Sequence, residues 1–169
     1  MADNQITQVA KVGSYATAIA QLDVQTLLVA NQYGEVKKVS LSTGEVTPFM
    51  DRLPFALTDI LVGDDQKVYI TSNTNRVWVY SNTGNPLPPD LYSPLSDPAM
   101  AIDDLNGKQL IVNAFVGYDG YRILTQVNKD GSFTATTVPA THLHPYSTAL
   151  APTGTAGQFY GQGPDGKIY

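Results

Sequence analysis

The chain has 169 residues, a formal net charge of −5, 43% apolar residues and only 15% charged ones. That length suits one domain with a core of its own, and the apolar share excludes wholesale disorder. The ten Lys and Arg side chains, never clustered beyond Lys37–Lys38, exclude the basic stripe that nucleic-acid binding requires.

There is no cysteine, which removes a disulfide framework, a thiolate metal site and a Cys nucleophile. The opening "MADNQITQ" has neither the basic nor the apolar region of a secretory signal peptide. No apolar run reaches the roughly 18 residues of a membrane span. The expected setting is the cytoplasm, or a virion or other extracellular assembly reached without a signal.

In chain order, "QITQVAKVG" reads as a lone strand, and four segments in mutual register follow it. Each opens with a small-and-apolar strand: "ATAIA", "LTDIL", "AMAID", "STALA". A turn leads to a more apolar strand ("TLLVAN", "KVYITSN", "QLIVNAF", "GQFYGQG"), and a second turn to a third ("EVKKVSL", "RVWVYS", "YRILTQV", "GKIY"). Three of the four continue through a Gly turn ("STGE", "NTGN", "KDGS") into a ragged fourth strand. Val, Ile, Tyr and Thr bounded by Gly, Asn, Asp and Pro carry these strand assignments. "SYATAIAQLDVQTLLVA" and "DPAMAIDDL" also fit a helix. The same slots in the second and fourth repeats hold Gly, Pro and β-formers, which selects strands.

Ile19, Ile60, Ile102 and Leu150 occupy equivalent positions, spaced 41, 42 and 48 residues apart. Four short strands in about 40–50 residues make one blade of a β-propeller. The expected fold is therefore all-β: a small four-bladed β-propeller forming a single domain over residues 1–169. Its blades would cover about 14–50, 55–93, 98–139, and 145–169 together with 5–12. The fourth repeat lacks an outer strand, and residues 5–12 would supply one beside "GKIY", from the same chain or a neighbouring subunit. That pairing would remove an exposed sheet edge.

"PYSTALAPTGTAGQFYGQGPDGKIY" and "TLLVANQYGEVKKVSLSTGEVTPF" resemble the NHL-type repeats of propeller proteins. In those, a Pro–x–x–Ile/Leu–Ala strand precedes a Gly turn, a Tyr–Val–Ala strand and an Arg–Ile/Val strand ending in Thr–Gly. The resemblance spans nearly the whole chain and describes blades. It implies a binding platform, with calcium-dependent lactonases and streptogramin-lyase-type enzymes as the catalytic minority.

Candidate sites follow from this frame. "GQGPDGK" contains both a G-x-G-x-x-G and a G-x-x-x-x-G-K pattern, but no helix follows to face a phosphate, so it reads as a β-turn. "THLHPY" holds both histidines, and His142 and His144 share one side if the segment is extended. A zinc site needs a third ligand, and no Glu is near. A calcium in the central channel would draw on Asp59, Asp103 and Asn113; otherwise no cofactor is expected. Trp78 and Tyr80 read as packing between blades. The connections from strand two to strand three and from blade to blade gather on one face. They would bring together Tyr33, Asn75, Arg76, Tyr118, Asp119, Tyr121, His142, His144 and Tyr146. Tyrosines beside Asp and Asn suit contact with a protein loop or a glycan. The functional expectation is a non-catalytic structural or adhesion module that acts through protein–protein contacts or self-assembly. A glycan-binding lectin and a metal-dependent lactonase or lyase are the alternatives.

Overall fold

The computed structural model describes residues 8–13, 15–88, 90–92, 99–104, 107–116, 121–130, 137–139, 151–152, 159–160 and 167–168. All regular structure among them is strand. The first repeat runs β1 (Ala16–Asp23), β2 (Thr26–Asn31), β3 (Val36–Ser40) and β4 (Val46–Pro48). The second runs β5 (Leu57–Val62), β6 (Val68–Ser72), β7 (Arg76–Tyr80) and β8 (Leu91–Tyr92). The third runs β9 (Ala99–Asp104), β10 (Gln109–Val116), β11 (Tyr121–Asn128) and β12 (Thr137–Pro139). Each of these is a four-stranded antiparallel sheet whose spatial order follows the chain, while β13 (Ala151–Pro152) pairs with β14 (Phe159–Tyr160) in the fourth repeat. The segments that also fit a helix are strands.

The three complete sheets share one irregularity. The pairing of the first strand with the second skips Thr17, Thr58 and Met100. All three lie two residues before the equivalent Ile19, Ile60 and Ile102. One extra residue at this point is a β-bulge. It resets the alternation, so that Leu57 and Ile60, three apart, share a face and a core.

The sheets pack face to face. Leu28, Ala30 and Val36 of the first sheet meet Ile60, Val68, Ile70 and Tyr80 of the second. Tyr69, Val77 and Val79 on the second sheet's other face meet Ile102, Leu110 and Val127 of the third. Both seams thus join the same two kinds of face. One is the face carrying the second-strand residue Leu28 or Tyr69. The other is the face carrying the first-strand residue Ile60 or Ile102.

Polar groups bolt the second seam. The Asp59 carboxylate accepts the Ile60 N–H (2.8 Å) on its own strand and the Ile102 N–H (3.0 Å) on the next sheet. Lower down, the nearly buried Lys129 ammonium pairs with Asp104 and Asp65 and lies 5.4 Å from the centre of the Tyr69 ring. The Tyr69 hydroxyl donates to Asp65 at 2.7 Å. Burial pushes the Asp65 carboxyl upward, but this hydrogen bond, the Lys129 charge and the Lys67 amide outweigh it. The group therefore sits below its ordinary 3.8. Burial and the Asp65 hydrogen bond push the Tyr69 phenol strongly upward.

Residues 8–12 form no ladder, residues 5–7 of the expected pairing beside "GKIY" lie outside the described residues, and Ile168 of that segment takes part in a single β-bridge. Residues 8–12 lie on the first sheet's outward face. The Val12 carbonyl accepts from Lys37 Nζ at 2.9 Å, and the Val9 carbonyl abuts Gly44. Pairing puts Lys37 on the same side as Val29, Val39 and Ile19. That is the side turned away from the second sheet.

Candidate binding face

Three connections that leave the sheets at the same end, and the approach to β1, are tied together by hydrogen bonds to main-chain carbonyls. The β2–β3 turn joins the β4–β5 connection through Leu53 N to Gly34 O, 2.9 Å, and Arg52 Nε to Tyr33 O, 2.7 Å. The β6–β7 turn joins the same connection through Asn73 N to Ala56 O, 2.9 Å. The approach to β1 joins through Gln32 N to Tyr15 O, 3.2 Å.

The first turn is built around buried Asn31. Its side-chain oxygen accepts the Tyr33 and Glu35 amides, and its amide donates to Glu35 at 2.8 Å. An Asx-type turn of this kind fixes backbone that would otherwise wander. Gly34 completes it at φ +85°, where a Cβ would lie 1.9 Å from the Leu53 carbonyl oxygen. Only glycine fits there. Tyr33 is thereby held outward on a rigid turn, and Tyr15 meets its ring edge-to-face at 5.6 Å. Tyr15 itself takes φ 63°, a left-handed conformation unusual for an aromatic residue.

Across the first seam, Phe55 of the β4–β5 connection stacks on Trp78 at 5.8 Å, with an interplanar angle of 26°. The Arg76 guanidinium lies 5.4 Å from the centre of the Trp78 indole ring and 3.9 Å from Asp90. The indole N–H reaches Ser72 Oγ at 3.4 Å. Burial pushes the Asp90 carboxyl up, and the Arg76 charge partly offsets it. Tyr15, Tyr33 and Arg52 on one side of the β4–β5 connection, and Phe55, Trp78 and Arg76 on the other, are each exposed or half-buried. A pocket of about 350 Å³ opens beside Arg52, lined by Glu35, Lys37, Pro48 and Met50 among others.

Of the residues expected on this face, Tyr33, Asn75 and Arg76 stand in these connected turns. Tyr121 opens β11 at the same kind of connection, opposite Val116; its side chain lies outside the described residues, as do Tyr118, Asp119, His142, His144 and Tyr146. Tyr80 belongs to the core between the first two sheets, and Trp78, partly buried, packs against that same core as expected. Tyr15, Arg52 and Phe55 were not singled out. Their only signal was position, since two of them sit in the blade-connecting "MDRLPF" and Tyr15 directly precedes a first strand.

A second pocket, about 330 Å³, lies between the first strands of the three sheets and includes Ile19, Gln21, Asp59 and Ile102. Both Asp59 oxygens there accept backbone amides, while the side chains of Asp103 and Asn113 lie outside the described residues. Among the described residues no three His, Cys, Asp or Glu side chains gather as a metal site would need, and no helix is long and apolar enough to cross a membrane.

These sheets and connections define a propeller-like fold, and solved structures agree. The β-propeller domain of Myceliophteria thermophila Cps50 (Swd1) superposes with a TM-score of 0.67 at 12% identity, over 92% of this chain and 51% of that one. The computationally designed Ika4 protein superposes at 0.64 and 16% identity, over 98% of this chain and 97% of its own. The designed Ika8 protein gives 0.52 and 14% identity, over 77% of this chain and 49% of its own. The chain thus spans about half the length of two of the three. No family model and no curated protein matches the sequence.

Proposed function

We propose that this protein is a non-catalytic interaction module, a propeller unit that holds a protein partner on the face formed by its strand-two-to-three and blade-connecting turns. The observation that carries this reading is the set of exposed and half-buried side chains from Tyr15 to Arg76. Tyr, Trp and Arg are the side chains that dominate binding energy at protein interfaces, and here they form two contacting groups, Tyr15–Tyr33–Arg52 and Phe55–Trp78–Arg76, carried on turns that are tied together. Each repeat contributes one blade. Low charge and the absence of cysteine suit a fixed assembly, with a virion or other extracellular structure as the setting proposed.

A photo-crosslinking amino acid in place of Tyr33, irradiated in extract from the protein's source, tests the reading. A discrete protein adduct is expected, and Trp78→Ala should weaken its formation about 30-fold, the equivalent of roughly 2 kcal/mol at a central contact. An adduct formed only from a probe at Lys108, at the opposite end of the sheets, would overturn it. The exposed Tyr15–Tyr33 pair favours a glycan as the second reading, because a sugar packs on such rings. Glycan-array binding lost in Tyr33→Ala, with no protein adduct, would select it.

A further inference from the structure

The pocket of about 350 Å³ at Arg52 has two unlike walls. One is apolar and consists of Val36, Val46, Pro48 and Met50. Val36 is buried in the core between the first two sheets and Met50 packs against that core, so this wall is fixed by the seam beneath it. The other wall carries Glu35, Lys37, Asp51 and Arg52. Glu35 accepts from the Asn31 amide and lies 3.8 Å from Lys37 Nζ, which itself donates to the Val12 carbonyl. Arg52 differs. Its Nε donates to the Tyr33 carbonyl at 2.7 Å, and among the described residues no carboxylate pairs with its guanidinium. The next residue, Leu53, is bonded through its N–H to the Gly34 carbonyl, which clamps the backbone beside it. The guanidinium is thus held at its inner nitrogen, with both terminal amino groups left to meet a ligand. A cation ordered in advance lowers the entropy lost on binding.

We infer that this pocket receives a carboxylate of the protein partner on the Arg52 fork, with an apolar side chain next to that carboxylate seated on the Val36–Met50 wall. The inference rests on the reading of this face as the protein-binding one and names the chemistry that the face selects. The terminal nitrogens of a guanidinium present two parallel N–H groups, which match the two oxygens of a carboxylate. A phosphate would match the fork as well. Glu35 and Asp51 line the same pocket, however, and repel a dianion more strongly than a single charge. The carboxylate is therefore the better fit. Entry of the partner as an added strand is disfavoured, because β4 has only three residues and ends in Pro48, which has no N–H to donate. The contact is made by an acidic side chain or a chain end rather than by a ladder.

Two small acids test this by NMR titration of the full chain at neutral pH and millimolar probe concentration. N-acetyl-leucine carries a chain-end carboxylate beside a branched apolar group, and N-acetyl-aspartyl-leucine amide carries its acid on a side chain. The backbone amide signals of Val36, Val46 and Met50 should shift with the acids, and the tighter of the two tells which source of carboxylate the pocket prefers. Neutral N-acetyl-leucine amide and inorganic phosphate should leave those signals in place. Arg52→Lys keeps the charge without the fork and should weaken acid binding about tenfold, and Arg52→Gln should abolish it. The comparison of acid with amide uses the unmodified protein, so it holds even where a variant does not fold. Equal shifts with acid and amide, a preference for phosphate, or no shift with either acid would overturn the inference. Those results would leave a crosslink from Tyr33 untouched. Acid binding together with an adduct formed only from Lys108 would instead remove the reading of the face and leave the carboxylate site standing.

Discussion

Lys129 ties the second sheet to the third through Asp65 and Asp104. It sits in "NKDG", a stretch that reads as turn chemistry, and nothing in the sequence marks it as nearly buried between two carboxylates and a tyrosine ring. Its partners Asp65 and Asp104 lie 64 and 25 residues away along the chain, so only the packing of one sheet on another reveals the group. Removing one partner of a buried pair strands the other charges. Lys129→Met should cost about 3 kcal/mol, read from the urea midpoint. The same cluster predicts acid sensitivity. Asp65 is held below its ordinary 3.8 in the folded state, so its charged form stabilises the fold. That contribution is complete above the ordinary value and disappears as pH falls through the lower folded-state value. An Asp65→Asn variant should therefore melt with a flatter pH dependence below about pH 4 than the parent.

The strands were legible because Val, Ile and Tyr alternate between Gly and Asn punctuation. The helix-like appearance of the first strands has a physical source. A bulge at Thr17, Thr58 and Met100 places apolar residues three apart on one face, and a spacing of three is also the helical signature. Only comparison among repeats separates the two. Turn geometry was legible in part: "NQYGE" announces a turn, but not that Gly34 is pressed against the Leu53 carbonyl. Gly34→Ala should accordingly cost about 2–4 kcal/mol in chemical unfolding, by combining a positive φ with a backbone clash. It should also abolish crosslinking from Tyr33, because the turn that presents that ring cannot be kept. A Cβ at Gly84, in the β7–β8 turn of the second sheet, would likewise meet the Phe49 carbonyl oxygen at 1.8 Å, so the first seam is tight at its periphery as well.

At the scale of the molecule, the all-β repeats and the stacking of the three four-stranded sheets were legible in the sequence. An edge strand and its partner carry no address in their side chains, so "QITQVAKVG" could be placed beside "GKIY" only by counting strands. Residues 8–12 shield the first sheet through Lys37 and Gly44. Deleting residues 1–12 should lower the melting temperature by about 5 °C, equivalent to roughly 2 kcal/mol in a chain of this size. Hydrogen exchange should then show faster opening at Val29 and Val39, while Tyr69 to Val77 in the second sheet stay protected.

The shared bulge bears on how such a chain arose. An unpaired residue interrupts a ladder, and three unrelated strands would have little reason to acquire it at the same step before the same isoleucine. The first strands now read "ATAIA", "LTDIL" and "AMAID", so the letters have drifted apart while the interruption has kept its place. A single ancestral blade that already carried the extra residue, copied and joined in tandem, accounts for all three. On that history the irregularity is older than the repeats that display it.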